Sequence, residues 1–410
     1  MQKLTRLRLS EPTCIGLQER QDASLILPSS PEPLNDMFQK ELCPMHIVEG
    51  KHDLKKTAIG QTSRVPVVSA NGTPLMPCKV SKARKLLRDN KAHKQWSKLG
   101  IFYLQLHFNP QQPQNQPLAL GVDTGSKFEG YSIVGTQDTV LNIMSEATTW
   151  VSKAVEQRRN MRRARRGRKT RRRECRFNNR LSNMMRLPPS TKARWNTKLR
   201  IIQQLEKILP INTIVVEDIQ AVTHKNGRKW NTSFSPLEVG KQYFYSQINR
   251  KLILKTGIET KALRDTCGLK KLKNKNKPVF ETHCVDAWVL AASETYAKQP
   301  TTKSLLYVTP LRWHRRQLHR LQPEKGGKRK SYGGTLSLGL KRGTLVKHSK
   351  YGFCYVGGSS EGNLSLHNIK NGKRLSQNVK KEDCKVLTRI AFRTQFLPCL
   401  KSMGILGGFR

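Results

Sequence analysis

Between Leu118 and Met144 three apolar, β-rich runs crowd together: Leu118-Ala-Leu-Gly-Val122, Tyr131-Ser-Ile-Val-Gly135 and Thr139-Val-Leu-Asn-Ile-Met144. Runs this close together read as an antiparallel meander, and the first of them ends in Asp123-Thr124-Gly125. Downstream the pattern alternates. A helix around Lys192 to Leu209 is stopped by Pro210, and a buried-looking strand, Ile211 to Val216, runs into Glu217-Asp218. Ser235-Pro236-Leu237-Glu238 has the form of a capping box with proline at the first helical position, so a helix should begin there and run toward Leu254. A short strand near Ile258 to Leu263, a Lys-rich loop and a final helix from Val279 to Ala297 complete the core. A meander followed by alternating strands and helices predicts an α/β fold, a mixed sheet covered by helices.

The flanks are of other kinds. Residues 1–64 carry Pro and Ser clusters without a sustained period and read as a poorly ordered extension. In residues 65–116, Val65-Pro-Val-Val68 is a short strand and Asn71-Gly72 a turn. Pro74-Leu-Met-Pro77 then forms a rigid corner before a basic helix with Lys82, Arg84, Lys85 and Arg88. A Gln- and Pro-rich linker, Pro110 to Pro117, leads into the core, whose segments are 117–149, 190–240 and 241–310 around a basic stretch at 150–189. In residues 311–390, Gly turns separate short runs such as Thr344-Leu-Val, Phe353-Cys-Tyr-Val and Leu364-Ser-Leu, which suggests a small antiparallel barrel. Residues 391–410 read as a tail with no assigned role.

Charge narrows the partner. With 76 Lys and Arg against 28 acids, the 410 residues carry a formal +48, which excludes an ordinary soluble metabolic enzyme. An apolar content of 36% argues for a folded body beneath that charge, so a polyanion must be held, with nucleic acid ahead of anionic membrane. Eleven of the sixteen residues from Arg158 to Arg173 are basic: Arg158, Arg159, Arg162, Arg163, Arg165, Arg166, Arg168, Lys169, Arg171, Arg172 and Arg173. Leu311 to Lys350 adds twelve more Lys or Arg against Glu324 alone. There is no run of about 18 apolar residues and no signal-peptide core, so a cytoplasmic protein without membrane partners is expected. Nine scattered cysteines with no C-x-x-C pair fit reduced thiols rather than disulfides or a zinc ribbon.

In a chain this poor in acids, carboxylates beside buried strands stand out, because burying one is costly without a compensating cation. Asp123 and Glu217 each end such a strand, and His283 and Asp286, three apart, share one helix face. Metal-assisted phosphodiester cleavage needs carboxylates from distant segments gathered on one or two Mg²⁺ ions, about 3.5–4 Å apart when paired. Each acid also has a plainer reading: Asp before Thr-Gly forms turns, Glu217-Asp218 could be a solvated strand end, and H-x-x-D could be a satisfied pair. The Arg-rich run could likewise be a basic tail, although it lies inside the chain between core elements. The order of the three acids, with the elements between them, suits a ribonuclease H-like nuclease.

The chain resembles IscB and IsrB, transposon-encoded RRXRR-domain proteins with a RuvC nuclease core that are relatives of the type II CRISPR effectors. The resemblance runs from about Val65 to about Leu387. It is carried by Thr73-Pro-Leu-Met-Pro-Cys-Lys79, Leu120-Gly-Val-Asp-Thr-Gly-Ser126, Arg162-Arg-Ala-Arg-Arg166 and Ile214-Val-Val-Glu-Asp218. Ser233 to Lys241, His283-Cys-Val-Asp286 and Leu318 to Gly327 match as well. It implies a split RuvC site in which Asp123, Glu217 and Asp286 bind Mg²⁺, in a pair and with Mn²⁺ as a substitute, while His283 orients or deprotonates the attacking water. It implies that the basic run is a bridge helix gripping a long structured guide RNA, and that target double-stranded DNA is the substrate of a monomeric protein in a 1:1 ribonucleoprotein. Trp313, His314, Arg315 and Arg316 become candidates for contacting RNA or a motif beside the target. The larger relatives insert an HNH nuclease between the second and third RuvC segments. Here Asp286 stands 69 positions after Glu217 (286 − 217), the stretch between is already taken by core elements, and His224 and His283 are the histidines in it. The resemblance is therefore to IsrB, and it implies a nickase that cuts the displaced, non-target strand. A guide-independent resolvase or transposase, and a non-catalytic RNA-binding protein, are the rival readings.

Overall fold

A computed structural model describes residues 64–111, 116–167, 187–220, 235–311, 321–322, 327–328 and 336–397. The chain divides into two units, Met1–Glu49 and Gly50–Arg410, and everything described belongs to the second. The expected extension, residues 1–64, thus lies outside the described residues except for Arg64.

The N-terminal module contains β1 (Arg64–Val68), β2 (Pro74–Lys79), α1 (Val80–Arg88), β3 (Ala92–Trp96) and β4 (Phe102–Leu106) in a sheet ordered β2-β1-β4-β3. The Pro-Leu-Met-Pro segment is not a corner, as the sequence suggested, but strand β2, antiparallel to β1. Both prolines are tolerated because β2 is an edge, where a missing N–H breaks no ladder. The basic helix follows as expected.

The core begins with β5 (Leu118–Asp123), β6 (Phe128–Gly135) and β7 (Thr139–Glu146), the expected antiparallel meander. Then come α2 (Trp150–Gly167), α3 (Pro189–Glu206), β8 (Thr213–Asp218), α4 (Pro236–Tyr245), β9 (Lys251–Thr256), α5 (Gly257–Thr266), α6 (Cys284–Thr295) and β10 (Leu305–Pro310). With β20 (Phe392–Leu397) they build one mixed sheet, ordered β20-β10-β7-β6-β5-β8-β9. β8 joins β5, and β9 joins β8, in parallel. A three-strand meander extended in parallel beside its first strand is the mixed sheet the sequence called for.

Strand periodicity divides β5 between two cores. Leu118, Leu120 and Val122 pack toward α3, with Ile201, Ile202 and Leu205, while Ala119 packs toward α6, with Val285, Trp288 and Ala292. Gly121 and Asp123 therefore face α6. The helix comes very close: a Cβ on Gly121 would sit 1.8 Å from the Ala287 carbonyl oxygen, and one on Gly130 would sit 2.3 Å from that of His283. Only glycine admits backbone that near.

Three sequence expectations fail around the helices. The helix begun at Ser235, whose hydroxyl accepts the Glu238 N–H at 3.1 Å, ends at Tyr245 rather than near Leu254. Lys251–Thr256 is a strand and Gly257–Thr266 a helix, the reverse of the reading of Ile258 to Leu263 as a strand. The capping box that starts α5 is Thr256 with Glu259, which exchange hydrogen bonds in both directions. Short apolar runs do not distinguish strand from helix by period; here the free edge of β8 decides. Finally, Val279 to His283 form turns, with Thr282 N–H bonding the Val279 carbonyl, so α6 starts only at Cys284 and His283 is its N-cap.

Past the core lie two short hairpins, β11 (Leu321–Gln322) with β12 (Gly327–Lys328) and β13 (Leu336–Ser337) with β14 (Leu340–Lys341). β15 (Thr344–His348), β16 (Gly352–Ser360), β17 (Asn363–Asn368), β18 (Arg374–Val379) and β19 (Cys384–Arg389) follow. These five pair in the order β18-β17-β16-β15-β19, an open antiparallel sheet rather than the expected barrel, because its two end strands do not pair with each other. The supposed tail is also corrected: Phe392–Leu397 is β20, antiparallel to β10 over six residue pairs, with Phe392 fully buried. Among the described residues no helix is long and apolar enough to cross a membrane.

Candidate active site

The register of the central strands builds the site. Val122 lies opposite Val216 in the parallel β5–β8 pair, so the next residues, Asp123 and Glu217, emerge side by side. Glu217 and Asp218 are consecutive strand residues and face opposite sides of the sheet. Asp218 turns to α4, where Lys241 holds it at 2.8 Å and the Tyr245 hydroxyl donates to it at 2.9 Å. Lys241 also meets Glu238 at 2.9 Å and the Ile219 carbonyl at 3.0 Å, which locks the chain just after Glu217. Asp286 arrives from the first turn of α6, delivered against β5 and β6 by Gly121 and Gly130. One carboxylate oxygen from each of Asp123, Glu217 and Asp286 lies within 4.8 Å of the others. The structure thus brings together the three acids that the sequence singled out.

Three carboxylates so close cannot all be charged without a cation. Burial opposes charge on Asp123, yet it is held below the usual carboxylate range by hydrogen bonds from His283 and Glu217 and by the Lys271 ammonium. Glu217 takes the proton instead, pushed up to about 8 by burial and by the charges of Asp123 and Asp286.

His283 joins the group, though not as a member of the helix face. Its Nδ1 lies 3.1 Å from Asp123 Oδ2 and its Nε2 donates to the Lys275 carbonyl at 3.2 Å, an assignment required because a carbonyl only accepts. Both ring nitrogens are engaged, so the ring orients Asp123.

Two cations escaped the sequence reading. Arg264 of α5 pairs with Asp286 Oδ1 at 2.5 Å, and Lys271 pairs with Asp286 Oδ2 while standing 4.0 Å from Asp123. Burial disfavours the Lys271 ammonium, but Asp123, Asp286 and Glu217 outweigh burial and raise its pKa. Its signal in the sequence was only the Lys-rich loop as a whole. A second buried pair, Lys198 with Glu129 at 2.5 Å, lies behind the site, with side chains 3% and 0% exposed, and Tyr131 donates to Glu129 at 2.6 Å.

Of the basic run, Arg158, Arg159, Arg162, Arg163 and Arg166 are exposed on α2, and Arg165 lies on the same helix. Arg168, Lys169, Arg171, Arg172 and Arg173 lie outside the described residues, as do Trp313, His314, Arg315 and Arg316.

A mixed sheet that gathers three carboxylates at one end defines a candidate metal-dependent site on an α/β core. Residues 65–231 match the family model described as RRXRR protein, and this part of the chain is similar to that family. Among solved structures, T. thermophilus RuvC in complex with Holliday junction substrate is similar at 13% identity and a TM-score of 0.24, over 46% of this chain and 98% of that one. So slight a likeness carries nothing; the fold stands on its strand order. No curated protein matches the chain.

Proposed function

We propose that the protein is an RNA-guided DNA endonuclease that nicks the displaced, non-target strand of its target. The observation that carries this reading is the meeting, within 4.8 Å, of carboxylates from β5, β8 and α6, elements far apart in sequence. Their donor atoms are all hard oxygens and a cationic group is already lodged among them, which fits Mg²⁺. Asp123, Glu217 and Asp286 would hold it, and bound there it would stabilise charge on the phosphate and make a nucleophile available at neutral pH.

The chain's own residues prepare that chemistry. His283 aims Asp123, Arg264 holds one oxygen of Asp286, and the Lys241–Asp218 pair fixes the strand end that bears Glu217. The exposed arginines of α2 suit sugar–phosphate contacts, which bind without reading sequence. Together with the likeness to the RRXRR family they support a structured guide RNA as the first partner and base pairing as the source of specificity. Between Glu217 and Asp286 the described residues are occupied by α4, β9, α5 and a Lys-rich loop, which supports a single nuclease centre and hence one cut strand. Residues 311–390, with Trp313, His314, Arg315 and Arg316, are proposed to contact RNA or a target-adjacent motif, in a 1:1 ribonucleoprotein with one protein chain.

Asp123→Ala should abolish nicking and leave RNA and DNA binding intact, measured with a strand-specifically end-labelled matched duplex and by gel shift. Efficient cutting of both strands would refute the nickase. A purified protein carrying no discrete RNA that still cut branched DNA would establish the guide-independent resolvase instead.

A further inference from the structure

Lys271 is the most constrained member of the Lys-rich loop. Lys270, Lys273, Lys275 and Lys277 are exposed, whereas Lys271 reaches inward to Asp286 Oδ2 and lies 4.0 Å from Asp123 Oδ2. The loop is tied down on both sides of it by backbone groups: before it, Leu269 N–H bonds the Arg264 carbonyl at 3.1 Å, and after it, Leu272 N–H bonds the Glu281 carbonyl at 2.9 Å and the Lys275 carbonyl accepts from His283 at 3.2 Å. Arg264 differs. It rises from a capped helix and takes the other oxygen of Asp286, Oδ1, at 2.5 Å. A cation held by Asp123 and Asp286 would compete with Lys271 for the oxygens it faces, Asp123 Oδ2 and Asp286 Oδ2, whereas Arg264 holds the other Asp286 oxygen.

We infer that Lys271 is an internal counter-cation, which holds the carboxylates together when no metal is bound and must swing out for a divalent ion to enter. This rests on the reading of Asp123, Glu217 and Asp286 as metal ligands. A lysine suits the task because its long stem pivots from an anchored loop and its charge is a single compact point; Arg264, a planar fork on a helix, is placed to stay. Metal affinity is then set by a competition inside the chain, and removing Lys271 strengthens metal binding even as it removes an ion pair.

The test is Mn²⁺ binding by electron paramagnetic resonance, on the full chain freed of nucleic acid at high salt and held at one pH. Lys271→Gln should bind Mn²⁺ about tenfold more tightly than wild type, the scale of one partly shielded ion pair. Lys271→Arg, which keeps the charge, should bind like wild type, and so should Lys273→Gln, which removes an exposed charge from the same loop. Equal affinity of wild type and Lys271→Gln, or tighter binding by Lys271→Arg, would overturn the role of Lys271 and leave the metal site standing. No saturable Mn²⁺ binding by any variant would overturn the metal site and this role with it.

Discussion

Glu217 holds the proton that a crowded trio of carboxylates has to share, and this ties stability to pH. Its pKa rises from 4.5 to about 8 on folding, through burial first and then the charges of Asp123 and Asp286. The folded state therefore binds the proton more tightly than the unfolded chain, so this contribution is full below pH 4.5 and is lost as pH rises through about 8. Metal-free protein should melt at falling temperature across that window, Glu217→Gln should flatten the slope, and Mg²⁺ should offset it by giving the charged carboxylates a partner; melting curves at a series of pH values check all three. Behind the site, Lys198→Met would strand buried Glu129 without its cation. Breaking such a pair costs about 3–5 kcal/mol, readable by chemical denaturation. Asp123, Glu217 and Asp286 were legible as residues because acids are scarce and each adjoins an apolar run. Lys271 and Arg264 were not, since nothing local separates them from seventy-four other basic residues, the remainder of 76.

At the scale of elements, the site depends on α6 lying directly on β5 and β6. Gly130→Ala would place a methyl carbon 2.3 Å from the His283 carbonyl oxygen, and backbone cannot yield as a flexible side chain does. We expect a loss of about 1–3 kcal/mol in stability together with weakened metal binding, because the shift displaces His283 and Asp286; denaturation and Mn²⁺ titration of the variant measure the two effects. The meander, β8 and the start of α4 were legible from local signals: closely spaced apolar runs, an apolar strand after a proline stop, and Ser-Pro before a helix. β9 and α5 were misread because Lys-Leu-Ile-Leu-Lys-Thr is too short for its period to decide. The reciprocal cap of Thr256 and Glu259 was the overlooked cue.

At the scale of the whole molecule, the chain leaves the central sheet after β10, builds a separate five-stranded sheet, and returns as β20 to cover the edge of β10. A chain ending before Phe392 should expose that edge, lose a fully buried aromatic ring and aggregate, as size-exclusion chromatography and melting would report. Composition alone determined a formal +48, a charge that suits a polyanion as partner, and the order of runs and acids pointed to a mixed sheet with three carboxylates near its strand ends. Only the tertiary structure decided that Phe392–Leu397 is a strand and that Lys271 and Arg264 join the acids. The physical reason is range. A cap, a turn or an apolar run acts over a few residues and is written locally. A strand edge is filled, and a buried charge is matched, by whatever distant segment the fold brings alongside.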